Sequence, residues 1–318
     1  MNNLWYDNFI EMLYKKYHKK AKLTETLMEL LSLERESVYR RLRKEVIFPV
    51  HELIKIASAW NISLDEIIGV NSSQVSFKLH LWNYLDPSER ELNDMQRVVQ
   101  WVEAIKIFPD LEYMEVSNKL PRVLTSGFLY IHRFYLLRWL YQYVNKDVLP
   151  FSQIPYPEEI AKFSEDYYEV SKQVATTNFI WDSVIFNYLV QDIQFFHSIY
   201  LITNEEKKLI KKDLHALLNY VSEITSKGCW PETGNKVNLY ISYINIDTNY
   251  NYYYSGEVKL CCVHAFGKNE IYTINPLVVE DFKGWMQSKK RATVQISQAD
   301  EKSRIEFFMK QREVIDTL

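Results

Sequence analysis

The chain has 318 residues, 47% hydrophobic and 25% charged, with 7 Gly and 9 Pro. That balance leaves room for two or three packed domains and excludes collagenous, low-complexity and disordered architectures. A formal net charge of −3 excludes a uniformly basic nucleic-acid coat, so any contact with a polyanion has to be local.

The N-terminus lacks a basic-then-apolar signal pattern. The 128–144 and 179–202 stretches are the most apolar. One carries His132, Arg133 and Arg138, the other Asp182, Gln191 and Asp192, so neither is expected to span a membrane. Cys229, Cys261 and Cys262 supply no metal spacing and no even disulfide framework, as expected in a reducing compartment. The expectation is a cytoplasmic protein with no membrane partner.

In chain order, Trp5, Phe9, Met12, Leu13 and Tyr17 recur at helical spacing and predict a first amphipathic helix. Further helices are predicted over about 24–31 and 35–44, and from Pro49, with Leu53, Ile56 and Ala57 inward. Ser63 with Asp65 and Glu66 predicts the cap of a short fifth helix ending at Gly69. A polar linker follows at 71–74.

Residues 75–228 are mostly helical in pattern, over 93–108, 126–144, 157–176, 179–202 and 204–227. After Gly228 the period shortens. Strands are predicted near 237–243, 250–254, 258–265, 271–274 and 293–296, and helices over 277–288 and 298–315, the last capped by Ser297. The fold class is therefore mainly α with a C-terminal α+β unit containing a small, largely antiparallel sheet. The expected domains are 1–72, 75–228 and 229–318, the last two being either separate or one unit.

The 24–43 stretch has the mechanics of two short helices locked by a few apolar contacts. Leu27, Met28 and Leu31 come from the first helix, Leu33 from the turn, and Val38 and Leu42 from the second. With Val38 and Leu42 inward, the opposite face presents Arg35, Glu36, Tyr39, Arg40 and Arg43. Across 15–44, ten Lys/Arg face four Glu. Arginine can read guanine bidentately in the major groove, and the same side chains clamp phosphates. The expected DNA-binding residues are Arg35, Glu36, Ser37, Tyr39, Arg40, Arg43, Lys44, Thr24 and Lys22, with Lys15 and Lys19 as further phosphate contacts.

Residues 8–70 resemble the five-helix domain of the phage Cro and repressor superfamily of transcriptional regulators. The resemblance rests on the frame Leu27/Leu31/Leu33/Val38/Leu42, on 35–43, and on the 52–69 tail. It implies a lambda-repressor-like helix-turn-helix domain whose 34–44 helix enters the major groove. The sequence departs from the pattern at Met28, where the family has Ala, and at Ser32, where it has Gly. A non-Gly residue in a left-handed turn costs about 1 kcal/mol.

Elsewhere no phosphate loop, dinucleotide fingerprint, zinc-protease motif or nucleophile elbow occurs. His197 and His215 lie on amphipathic helices. On a strand only Cys262 and His264 would share a face, which is too few for a metal site. Asp166 with Glu169, and Glu205 with Glu206, read as solvated helix faces. Aromatics on more than one face of 126–144 and 178–202 fit a core, a dimer interface or a pocket.

The expectation is a sequence-specific DNA-binding regulator, not an enzyme, with no cofactor and no catalytic or metal site. Its partners would be double-stranded DNA, a second copy in a homodimer, and a small-molecule or protein effector at the C-terminal region. A protein-interaction adaptor and an enzyme-like domain targeted by a DNA-binding module are the alternatives.

Overall fold

The computed structural model describes residues 4–17, 19–60, 62, 75–84, 86–143, 149–265 and 269–318. Contacts divide the chain into two compact units, Met1–Val75 and Ser76–Leu318.

The N-terminal unit contains α1 (Leu4–Lys16), α2 (Lys20–Leu31), α3 (Arg35–Leu42) and α4 (Val50–Trp60). Its core draws Tyr6, Phe9, Ile10 and Leu13 from α1, a stripe rotated slightly from the Trp5-to-Tyr17 reading; Trp5, Met12 and Tyr17 pack around its margin. Leu23, Leu27 and Leu31 face it from α2, Val38 and Leu42 from α3, and Leu53 and Ile56 from α4. The second helix begins four residues earlier than expected. Ser32 ends it in the left-handed conformation, φ 54° and ψ 47°, its backbone N–H donating to the Met28 carbonyl. The turn therefore has the geometry glycine favours, imposed on a serine. The expected fifth helix from Ser63 to Gly69 and the 71–74 linker lie outside the described residues.

The C-terminal unit is built on one eight-stranded mixed sheet, in the order β1-β7-β6-β5-β2-β3-β4-β8. The strands are β1 (Lys78–His80), β2 (Glu112–Ser117), β3 (Thr176–Asp182), β4 (Lys236–Ser242), β5 (Tyr250–Tyr254), β6 (Lys259–His264), β7 (Glu270–Thr273) and β8 (Thr293–Gln295). Strands β2, β3 and β4 are parallel neighbours, joined by helical crossovers as parallel strands require. Between β2 and β3 lie α6 (Arg122–Thr125), α7 (Leu129–Tyr143) and α8 (Glu158–Ser171). Between β3 and β4 lie α9 (Ile185–Ser198) and α10 (Asn204–Lys227).

Together with α5 (Glu89–Ile105) and α12 (Glu301–Asp316), these helices bury one sheet face. Tyr113, Phe179, Trp181, Val237, Leu239 and Tyr253 form the sheet side of that core. The opposite face, with Met114, Val116, Ile180, Tyr252 and Cys261, packs against Val279 and Met286 of α11 (Pro276–Ser288). An amide chain crosses this second face. Glu112 accepts from Asn178 (2.8 Å) and Gln287 (3.0 Å), and Asn238 donates to Asn178 (2.9 Å). Slipping the register by one residue would strand these groups on the apolar side.

Strands from the 75–228 stretch pair directly with strands beyond 229, so of the two arrangements left open the regions share one sheet. Five of its seven ladders are antiparallel, as expected, but the β2-β3-β4 centre is parallel. The predicted 179–202 helix begins as β3 and turns helical only at Ile185. After its first residue β3 is buried throughout, covered on both faces, so its run Phe179-Ile180-Trp181 lacks the alternation that marks a half-exposed strand.

Candidate functional site

The nine residues expected to meet DNA centre on α3. This helix has no Gly, no Pro and only one β-branched residue, Val38. Glu34 is its N-cap position and Glu36 sits in the first turn, where an acidic group complements the helix dipole. It ends at Arg43, and Lys44 turns the chain with φ 67°. Val38 is fully buried and Leu42 nearly so, fixing which face looks outward.

That outward face carries Arg35, Glu36, Arg40, Arg43 and Lys44, all exposed, with Ser37 and Tyr39 half-buried beside them. Arg43 lies over the Tyr39 ring at 5.5 Å, holding a long side chain against a flat support. Arg40 and Arg43 approach the same carboxylate, Glu45, at 3.6 and 3.7 Å. Lys44 is tied to Asp7 of α1. Lys19 and Lys22 are exposed on or just before α2; the side chain of Lys15 lies outside the described residues.

Thr24 has to be removed from the candidate set. It is one turn inside α2, fully buried, and its hydroxyl donates to the Lys20 carbonyl at 2.9 Å. Placing the start of α2 at Thr24 produced that error.

One arginine of the helix points the other way. Arg41 makes a two-pronged contact with Glu52 of α4, Nε to Oε2 at 2.6 Å and Nη2 to Oε1 at 2.9 Å, and donates to the Ser37 carbonyl at 3.1 Å. The Arg41 and Glu52 side chains are only 14% and 7% exposed. The Tyr6 hydroxyl donates to the carbonyls of Arg41 and Val46 and accepts from the Phe48 N–H; burial pushes its pKa up to about 12. Together Arg41 and Tyr6 pin α3 and the turn behind it onto α4 and α1. Neither role is legible from spacing alone, because Arg41 is indistinguishable from its neighbours in a run of cations. Glu45 was missed for a similar reason: it lies past the helix end.

The remaining motifs of the sequence fall into structural roles. The His197 ring nitrogen meets Asn204 at 2.9 Å and His215 lies 3.0 Å from Asp316. Glu206 completes a capping box with Thr203 at the start of α10. Cys262 and His264 share a sheet face as expected, with Glu270 opposite His264 in the β6–β7 ladder. Among the described residues no group of three or more His, Cys, Asp or Glu could hold a metal ion. Of the aromatic helices, Phe134, Trp139, Phe186 and Phe196 are core, whereas Tyr141, Tyr188 and Phe195 are exposed.

No family model matches the chain, nor does any curated protein or solved structure. Among the described residues no helix is long and apolar enough to cross a membrane.

Proposed function

We propose that the chain is a cytoplasmic, sequence-specific DNA-binding transcriptional regulator, its N-terminal unit a helix-turn-helix domain and its C-terminal unit a dimerisation and sensing domain without enzymatic activity. The observation that carries this reading is the outward face of α3. Arg35 and Arg40, with Arg43 at the C-cap, stand exposed on an eight-residue helix whose opposite side is fixed by Val38, Leu42 and the Arg41–Glu52 pair. A short, rigidly seated helix with a cationic outer face suits insertion into the major groove, where Arg35 and Glu36 at its N-terminal end would reach base edges. Arg40, Arg43, Lys22 and Lys19 would then neutralise phosphates. Lys44 contributes only once it leaves Asp7.

The binding test is fluorescence anisotropy of the full chain on duplex pools at two salt concentrations. Affinity is expected to fall steeply with salt, because each phosphate contact releases counterions. Arg40→Ala with Arg43→Ala is expected to weaken binding by about tenfold or more. Unchanged binding in that variant, with normal folding, would remove α3 as the recognition helix. Absence of binding at low salt would favour the adaptor reading.

A further inference from the structure

A second concentration of charge lies wholly within the C-terminal unit. At the C-terminal end of β2, between the sheet and α7, is a cavity of about 210 Å³. Ligands of open α/β sheets characteristically sit beyond the carboxyl ends of parallel strands. The floor is buried and polar: Glu115 of β2 is 2% exposed, and His132 and Asn249 are buried beside it. Glu115 Oε2 accepts from the Tyr113 hydroxyl at 2.6 Å, while Oε1 has no hydrogen-bond partner among the described residues. A buried carboxyl oxygen left unmatched is expensive in an apo protein and gains a partner if a ligand enters.

The rim is cationic. Lys119 and Arg138 line the same opening, Lys119 open to solvent and Arg138 on α7. Only Asp192 of α9 answers them, 2.8 Å from Arg138; among the described residues Lys119 has no carboxylate within ion-pair distance. The two cations repel. Deeper in, the Arg122 guanidinium is caged by the rings of Trp82, Tyr84, Phe163 and Tyr167 at 5.0–5.6 Å. Burial pushes the Glu115 carboxyl up to about 8, which disfavours its charged form as a counter-charge. Three cations thus line a cavity with one further carboxyl group, Glu270, in its own wall. Leu120, Tyr135 and Trp139 supply an apolar side.

We propose that this cavity binds a small organic oxyanion, its carboxylate or phosphate held by Lys119 and Arg138 and its apolar body lying along Leu120, Tyr135 and Trp139. At the inner end, the unpartnered Glu115 Oε1 shares a hydrogen bond with a hydroxyl of the ligand. This gives the sensing half of the proposed function a site and a ligand class. Binding is measured without DNA, so its failure is separable from a failure of DNA recognition.

The test is isothermal titration of the full chain with benzoate, with phenyl phosphate, and with uncharged benzyl alcohol, each at millimolar concentrations. Saturable binding of at least one of the two anions, and not of benzyl alcohol, is expected; their relative affinities tell carboxylate from phosphate. Lys119→Gln, a surface change that leaves the core intact, should weaken binding about tenfold. Asp192→Asn removes the competing carboxylate and should tighten it severalfold, an opposite effect that misfolding cannot imitate. No saturable binding of either anion, or binding indifferent to both substitutions, overturns the proposal.

Discussion

The two units differ in how many ionisable groups they bury. In the N-terminal unit the charges are outside: Arg35, Arg40, Arg43 and the lysines of α2 are exposed, and the Arg41–Glu52 pair is an exception drawn inward to hold α3. The C-terminal unit has exposed charges too, but it also draws several inside or to a cavity mouth. Glu115, His132 and Lys172 are each about 2% exposed, and Lys172 is kept charged by Glu169 at 2.8 Å and by the Tyr168 ring at 4.2 Å. An exposed cation costs little and is free to meet a polyanion; a buried one persists only where neighbours replace its water. The proposed DNA-binding face and the proposed ligand cavity rest on that contrast.

The largest effect should come from breaking the exception. Arg41→Ala leaves Glu52 buried without its partner, and about 3–5 kcal/mol of stability in the N-terminal unit should be lost, read by urea unfolding followed at Trp5 and Trp60. Replacing both partners together, Arg41→Met with Glu52→Leu, should cost far less; equal losses would mean that the pair itself, and not the stranded Glu52 charge, supplies the stability.

Next is the pH response of the interior. The folded chain keeps the Glu115 proton up to about 8, whereas the unfolded chain releases it near the ordinary value of 4.5. Between those values the unfolded state binds fewer protons, so stability falls as pH rises and levels off above about 8. A decline of roughly 2–4 kcal/mol from this group is expected across that window. Glu115→Gln should flatten it in urea unfolding at pH 5 and pH 8, and an unchanged slope would assign the decline elsewhere.

Two smaller changes sharpen the outer face. Ser32→Gly relieves the left-handed turn at φ 54° and should raise stability by about 0.5–1 kcal/mol, seen as a higher melting temperature. Glu45→Gln frees Arg40 and Arg43 from their shared carboxylate. Exposed ion pairs of this kind are worth about 0–1 kcal/mol, so DNA affinity should rise only a few-fold in anisotropy; a fall would mean that Glu45 orients the arginines rather than masking them.

What the sequence disclosed follows the same division. Helices α3 and α10, the β4 strand and the outward arginines were legible because one face of each element is apolar and the other polar, or because a local cap marks the boundary; β5 was legible from its run of tyrosines, a strong strand former. Strands β2 and β3 were not, since both their faces are covered and period two disappears. Lys119, Arg122 and Glu115 lie in the stretch around β2, and only the sheet brings them to Arg138 and Glu270. Thr24 shows the cost of misplacing a helix start by one turn: a residue expected at the surface lies in the core.

The edge strand β1 carries a consequence for the order in which the chain acquires structure. Lys78 pairs with Tyr272 and Leu79 with Ile271, and β2 at the sheet centre needs β5, whose register joins Glu112 to Tyr254. The N-terminal unit closes on contacts within its own short span, so it can fold while the rest is still being synthesised. The sheet has to wait for nearly the whole chain, and contacts so distant in sequence form slowly. Until then the apolar side chains of β2 and β3, Met114, Val116, Phe179, Ile180 and Trp181, lack the cover they have in the folded unit. The expected order during synthesis is therefore the N-terminal unit first and the sheet last, with the unpaired strands the segments most exposed to aggregation in between.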